Sequence, residues 1–315
     1  MKNTIEELKK EISKQVIGQK NMIDSLLIGL FTNGHILLEG VPGLAKTTTI
    51  NALAQSLNLD FKRVQFTPDL LPSDIIGAQI YDMKSGDFKI KKGPIFTNLL
   101  LADEINRAPA KVQSALLEVM QEKQVTLGET TYNIDSPFLV LATQNPVEQE
   151  GAYNLPEAQL DRFMFKIIVN YNTKEEEYTI ASKAAFSTFE TINNILNKED
   201  IIHIKNEIKN IHIDEELEKY IIDLIFATRE PVKYGLPEIQ NYIEFGASPR
   251  ATIDMFKAVK ARAFIRGNNF VSPLDITLSI KDVLRHRIIL SYEALVQEIS
   301  TDDIIQKVLE KVTIP

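Results

Sequence analysis

The sequence contains no cysteine, so neither a disulfide nor a thiolate-bound metal site is possible. Its four histidines lie far apart, and no two of them form the H-x-x-x-H pair of a helical zinc site. A zinc site would have to combine isolated histidines with carboxylates. These shortages argue against metal catalysis through histidine or thiolate.

Long hydrophobic runs and an excess of positive charge are also missing. Apolar runs such as residues 138–142 are far too short to span a bilayer, and residues 1–10 lack the apolar centre of a signal peptide. We therefore expect a cytoplasmic protein without a membrane span. The net charge of −8 makes nucleic acid an unlikely partner, because broad coating of nucleic acid needs a positive surface.

The length of 315 residues allows two domains around sizeable cores. Apolar strand patterns alternate with helical ones as far as Tyr171, and helical patterns dominate afterwards. The polar, asparagine-rich stretch from 188 to 198 is the best candidate for a hinge. The sequence thus predicts an α/β unit with a parallel sheet, followed by a helical unit.

Residues 35–47 have the layout of a phosphate-binding loop: an apolar strand, a Gly/Pro turn, and a Lys-Thr pair that opens a helix. Lys46 would bring its charge to the β- and γ-phosphates, and the Thr47 hydroxyl would hold Mg²⁺. The alternative is an ordinary strand–turn–helix. The residues predicted to bind nucleotide here are Gly40, Val41, Pro42, Gly43, Leu44, Ala45, Lys46, Thr47 and Thr48.

Two details around this loop remain open. Ala45 stands where the usual pattern has glycine, and we expect alanine to be tolerated if the position has right-handed helical angles. Ile17 and Gly18 could line an adenine pocket, although local sequence alone favours simple helix capping for them.

A second apolar strand, residues 98–102, ends in the acids Asp103 and Glu104. Ligands of open α/β sheets bind at the carboxyl ends of strands, where these two acids fall. Asp103 could hold the Mg²⁺ hydration shell, and Glu104 could orient and deprotonate the attacking water. Helix capping is the alternative, but it would not require both acids behind an apolar strand.

Three further polar residues are candidates for catalysis. Asn145 follows a buried strand and could reach the γ-phosphate or the water, unless it only forms an Asn-Pro turn. Arg162 could reach the γ-phosphate of a neighbouring subunit, although a surface salt bridge is the simpler local explanation. Arg250 lies in the first turn of a helix, an unfavourable place for a cation unless an anion such as phosphate is near. Residues 285–287 could be another anion contact, but local sequence favours a solvated helix end.

Two hairpins are predicted at residues 75–93 and 125–134. The first is locally basic, and its positive side chains either protect a solvated strand edge or contact a partner. Local sequence does not decide between these readings.

Taken in order, these motifs resemble the Walker A, Walker B, sensor 1, arginine-finger and sensor 2 motifs of AAA+ ATPases. Within that superfamily the chain resembles the MoxR family over nearly its full length. Residues 40–47, including Ala45, match the form that the phosphate-binding loop takes in this family. The hairpins at 75–93 and 125–134 correspond to its helix-2 insert and its pre-sensor-1 hairpin. The closest motif matches are residues 40–47, 103–109, 113–118, 155–163 and 246–251.

The resemblance implies an AAA+ P-loop core over 1–190 and a helical lid over 191–315. It implies a ring, usually a hexamer, that binds ATP between subunits. Asp103, Glu104 and Asn145 would act in cis and Arg162 in trans, with the side on which Arg250 acts left open.

The implied function is Mg²⁺-dependent ATP hydrolysis that remodels or matures a protein client, expected to carry a von Willebrand A domain. A DNA motor of the same helix-2-insert clade is the alternative. A nucleotide switch without hydrolysis is a third possibility, which the joint presence of Glu104, Asn145 and Arg162 disfavours.

Overall fold

Helices and strands alternate through the first half of the chain, and helices dominate the second half. The computed structural model describes residues 2–41, 43–84, 86–145, 153–186 and 188–315. The strands are β1 (Ile36–Glu39), β2 (Phe61–Gln65), β3 (Gly77–Asp82), β4 (Asp87–Lys92), β5 (Leu99–Asp103), β6 (Gln124–Leu127), β7 (Thr130–Asn133), β8 (Leu139–Gln144), β9 (Phe165–Ile168), β10 (Ile243–Phe245) and β11 (Ile289–Leu290). The α-helices are α1 (Lys2–Ile12), α2 (Lys20–Thr32), α3 (Lys46–Ser56), α4 (Pro72–Ile76), α5 (Ala110–Glu122), α6 (Glu157–Leu160), α7 (Lys174–Ala185), α8 (Lys198–Lys209), α9 (Glu215–Arg229), α10 (Pro249–Ile265), α11 (Pro273–Leu284), α12 (Tyr292–Val296) and α13 (Thr301–Lys311).

A five-stranded sheet in the order β2-β5-β8-β1-β9 forms the centre of the first half, and all of its strand pairs are parallel. Strands β1, β5 and β8 are almost entirely buried, because helices cover both faces of the sheet and the strands read as apolar runs. The predicted α/β class with a parallel sheet is confirmed. Since the three central strands are adjacent and parallel, the residues that follow them meet at one edge.

The two short hairpins stand outside this sheet. Strand β3 pairs antiparallel with β4, and β6 pairs antiparallel with β7. Apolar side chains near the end of the β3–β4 hairpin are exposed, with Met83 91% accessible and Tyr81 and Phe88 more than half accessible. Lysines accompany them on the same hairpin. Both a solvated edge and a contact surface remain compatible with this arrangement.

The second half is helical but contains more regular structure than its sequence suggests. The sequence predicts a loop over 231–247, whereas the structure has 3₁₀ turns at Pro231–Tyr234 and Pro237–Tyr242, followed by β10, which pairs with β11. Apolar side chains from both sides of residue 190 share one hydrophobic cluster. The division at 190/191 therefore stays a prediction. Within the described residues, no helix combines the length and the apolar character that a bilayer span requires.

The prediction that residues 285–287 form a solvated helix end is wrong. His286 and Arg287 are buried, and the Arg285 side chain is only 9% exposed. Arg285 donates to Asp302 at 2.7 Å and to the backbone carbonyl of Lys166 at 2.6 Å. The partners of these cations come from distant segments, which explains why the local pattern is misleading. The end of α11 thus ties the helical half to the sheet.

His35, immediately before β1, ties the start of that strand to two neighbouring elements. Its Nδ1 accepts a hydrogen bond from the Val140 backbone N–H at 3.0 Å, and its Nε2 lies 3.1 Å from the Met120 carbonyl oxygen. Only the neutral tautomer with a proton on Nε2 satisfies both bonds. Burial lowers the pKa of His35 to about 4.

Lowering the pH should destabilise the fold through His35. Between about pH 6.5 and about pH 4 the unfolded chain binds a proton at this residue and the folded chain does not. The stability that His35 contributes is therefore present above its unfolded pKa and is lost as the pH falls, by up to about 3 kcal/mol. Urea unfolding of the wild type and of His35→Gln near pH 7 and near pH 5 measures this loss. An equal pH dependence in both proteins would contradict it.

Candidate nucleotide-binding site

The loop between β1 and α3 wraps closely around the carboxyl end of β1. Gly40 is buried, and a Cβ on it would lie 2.7 Å from the Val169 carbonyl oxygen, so the close approach of the two segments requires glycine. Gly43 has a φ of +88°, which a side chain would strain. Lys46 and Thr47 form the first turn of α3. Pro42 lies outside the described residues.

Ala45 adopts a left-handed backbone conformation, with φ 53° and ψ 19°. The right-handed helical angles under which alanine is expected to be tolerated here are therefore absent. The chain turns sharply into α3 here, and the Thr49 N–H and hydroxyl both donate to the Ala45 carbonyl at 2.9 Å, which holds the turn. A left-handed non-glycine residue costs roughly 1 kcal/mol, so the loop stores backbone strain at this site.

Lys46 is half-buried, and its ammonium donates a hydrogen bond to the Gly40 carbonyl within the loop. Burial lowers its pKa, and the nearby carboxylates of Asp103, Glu104 and Glu39 act in the opposite direction. Asp103 and Glu104, which the sequence assigns to Mg²⁺ and to the attacking water, thus lie close enough to Lys46 to interact with it electrostatically.

Asp103 and Glu104 end β5 and are held by residues of the two neighbouring strands. Asp103 accepts from the Thr143 hydroxyl at 2.6 Å and from the Arg63 guanidinium at 2.6 Å. Glu104 accepts from the Gln65 amide at 2.7 Å, and its backbone N–H donates to Thr143 at 2.8 Å. Glu104 has a φ of 56°, so its backbone, like that of Ala45, is strained.

Arg63, Gln65 and Thr143 are the residues that sequence reasoning missed. Their place follows from strand order: Gln65 is paired with Asp103 in the sheet register, and Thr143 lies on the strand on the other side of β5. The only sequence signal is the presence of polar residues at the carboxyl ends of predicted strands. That signal identifies neighbours only once the order of the strands is known.

These groups surround a single cleft of about 360 Å³ at the carboxyl edge of the sheet, a volume typical of a small-molecule site. Of the predicted residues, the structure brings ten to this cleft. The cleft is lined by Gly40, Gly43, Leu44, Ala45, Lys46, Thr47, Thr48, Arg63, Gln65, Asp103, Glu104, Thr143, Gln144 and Asn145.

Arg162 and Arg250 do not line this cleft. They line a second cavity of about 300 Å³, together with Gly34 and His35, which precede β1. Arg162 itself precedes β9, so this cavity lies at the amino edge of the sheet, about one strand length, or about 13 Å, from the cleft. Arg250 does have an anion nearby, but it is the Asp161 carboxylate, 3.3 Å away, and not a site within the cleft.

Ile17 and Gly18 are also absent from the cleft lining. The Ile17 carbonyl accepts from the Asn172 side chain at 2.9 Å, and the neighbouring Gln19 donates to the Asn170 carbonyl at 3.0 Å. This segment therefore packs on the chain that leaves β9. The same chain contacts Gly40 through Val169, so Ile17 and Gly18 lie on the loop side of the sheet.

Comparison with known proteins agrees with this geometry. Residues 35–165 match the "ATPase family associated with various cellular activities (AAA)", and residues 238–308 match the AAA lid domain. The chaperone MoxR1 of Mycobacterium tuberculosis is 45% identical over 99% of this chain and 83% of its own length. An uncharacterized protein of Bacillus subtilis, YeaC, is 42% identical over 96% of this chain and 92% of its own length.

Two further similarities cover the whole molecule. The protein MoxR of Methylorubrum extorquens is 31% identical over 97% of this chain and 94% of its own length. A crystal structure of a suggested ATPase from Cytophaga hutchinsonii superimposes with a TM-score of 0.95 and 56% identity, covering 100% of this chain and 96% of that one. The chain therefore belongs to the MoxR family of AAA+ ATPases.

Proposed function

We propose that this ATPase hydrolyses Mg²⁺-bound ATP in the cleft between β1, β5 and β8, and uses the energy to remodel a protein client. The observation that carries the proposal is the convergence of Lys46, Asp103, Glu104 and Asn145 on one cavity from three separate segments. The loop backbone and the first turn of α3 would bind the phosphates, because unpaired N–H groups at a helix start favour anions. Lys46 would add its charge at the β- and γ-phosphates.

The donors near Lys46 fit Mg²⁺. Thr47 offers a hydroxyl and Asp103 a carboxylate, and Mg²⁺ prefers oxygen ligands and takes few of them from the protein when phosphates are present. When bound, the ion would neutralise charge on the phosphate oxygens.

Glu104 is the group that we assign to the attacking water. Its carboxylate is held by Gln65 and by Arg107, which lies 3.2 Å away, so it faces the cleft in a defined orientation. It would orient the water and accept its proton. The Asn145 amide would hold the water or the γ-phosphate.

Arg162 and Arg250 would complete the site of a neighbouring copy, in a ring that we propose to be hexameric. At the amino edge of the sheet they are about a strand length from their own cleft, and within the described residues no acceptor pairs with the Arg162 guanidinium. An arginine supplied by another subunit stabilises the charge that develops during phosphoryl transfer. Because Arg250 shares the Arg162 cavity, we propose that it too acts in trans.

Two observations support a protein client. The relative MoxR1 is named a chaperone, and the β3–β4 hairpin exposes Tyr81, Met83 and Phe88 beside lysines, as contact surfaces often do. We propose that this hairpin contacts the client, and that the client carries a von Willebrand A domain. Ile17 and Gly18 remain our proposal for the adenine side of the nucleotide.

Glu104→Gln should bind ATP but hydrolyse it about 10²–10⁴ times more slowly, because the amide cannot accept the proton of the water. Phosphate release measures hydrolysis, and a fluorescent ATP analogue measures binding. Glu118→Gln on the exposed face of α5 is the matched control and should hydrolyse ATP at the wild-type rate. A parental rate in Glu104→Gln would show that Glu104 is not the base.

A purified von Willebrand A domain protein from the same genome should raise the ATPase rate, since a client couples to the hydrolysis cycle. The effect should disappear when the exposed hairpin residues Tyr81 and Phe88 are both changed to serine. Single-stranded DNA serves as the competing ligand. Binding of DNA that weakens with salt, together with no response to the protein domain, would support the DNA motor instead.

A further inference from the structure

Arg287 is a buried cation whose side chain is 0% exposed, just beyond the end of α11. Its guanidinium holds the short segment that carries Arg162. Nε donates to the Asp161 carboxylate at 2.8 Å, and the two terminal nitrogens donate to the backbone carbonyls of Asp161 at 3.3 Å, Phe163 at 2.9 Å and Met164 at 3.3 Å. The residues on both sides of Arg162 are thus fixed to the lid.

The remaining contacts of Arg287 compensate for the burial of its charge. It donates to the Asp254 carboxylate at 2.6 Å and to the Val283 carbonyl at 2.9 Å. Two carboxylates, Asp161 and Asp254, therefore share one guanidinium. Burial of an ion pair carries a desolvation cost that offsets much of its attraction, so this arrangement is weak evidence for a gain in stability. Lysine could not reproduce it, because an ammonium lacks the planar fork of donors.

The same segment receives two more contacts from the helical half. The Ser248 hydroxyl donates to Asp161 at 2.9 Å, and His286 Nε2 lies 2.8 Å from the Phe163 carbonyl oxygen. By contrast, Arg162 itself has no side-chain partner among the described residues and lines the second cavity. The backbone around Arg162 is therefore held by several hydrogen bonds to the helical half, and the Arg162 side chain lines a cavity that a ligand could enter.

We propose that Arg287 is a positioning residue, which fixes the backbone on both sides of Arg162 so that this guanidinium meets the phosphate of the neighbouring copy. The inference rests on the proposed role of Arg162 in trans. It makes the lid part of the catalytic geometry: a lid that moves would move Arg162 with it.

Arg287→Lys tests the proposal. It should lower kcat by roughly 10–100-fold, since a misplacement of about 1 Å has an effect of this size. The affinity for a fluorescent ATP analogue should stay unchanged, because the loop and Lys46 of each cleft are intact and Arg162 acts on the charge that develops during phosphoryl transfer. In an Arg162→Ala background the same substitution should have no further effect on kcat, as expected for residues that act as one unit.

Arg285→Lys is the matched control. Arg285 has a side chain that is 9% exposed and ties the same helix end to the sheet, but it contacts Lys166 and not the 161–164 segment. It should leave kcat unchanged. An equal fall in kcat in both lysine variants would overturn the proposal, because general docking of the lid would then explain the effect.

Thermal unfolding shows whether each variant is folded. If Arg287→Lys does not fold, Asp254→Asn removes one partner of Arg287 and should lower kcat in the same direction but less. An unchanged kcat in a folded Arg287→Lys, or failing that in Asp254→Asn, overturns the inference while leaving the proposed function intact. An unchanged kcat in Arg162→Ala would instead overturn the assignment of Arg162, and this inference with it.

Discussion

The parallel pairing of β5, β8 and β1 is the constraint on which the site depends. Because the three strands run in the same direction side by side, the residues that follow them share one edge. One strand delivers the phosphate loop, one the two acids and one the buried Asn145. None of these segments would form a nucleotide cleft alone. The packing of the buried apolar strands thus sets the distances between the polar groups of the site.

The same sheet also separates two functions. Its carboxyl edge holds the cleft, and its amino edge holds Arg162 and Arg250. Under the proposed function, a single chain would carry half of a hydrolytic site at each edge, and association of copies would unite the two halves. Asp161 and Arg287 tie the amino edge to the helical half, so changes in lid position would be transmitted to the neighbouring cleft.

Local patterns predicted much of the fold. The periodicity predicts helices over about 20–32 and over 198–209, which are the bounds of α2 and α8, and the apolar runs before Asp103 and Asn145 are central strands. What could not be predicted depends on partners distant in the chain. Arg63 and Gln65 join the site only through strand order, and the Arg285 and Arg287 side chains are almost fully enclosed because carboxylates from other elements pair with them. The backbone angles of Ala45 could not be predicted from residue type either, because the loop imposes a left-handed conformation that alanine disfavours.

Complementation between two inactive variants tests the central claim, a cleft completed by an adjacent copy, most directly. Lys46→Ala chains have a defective cleft but keep Arg162, and Arg162→Ala chains have the opposite defect. Each alone should be nearly inactive, and an equal mixture that exchanges subunits should recover about a quarter of the wild-type rate, because about one interface in four is then intact. If the mixture stays as inactive as its components, Arg162 does not serve a neighbouring cleft and the account is contradicted.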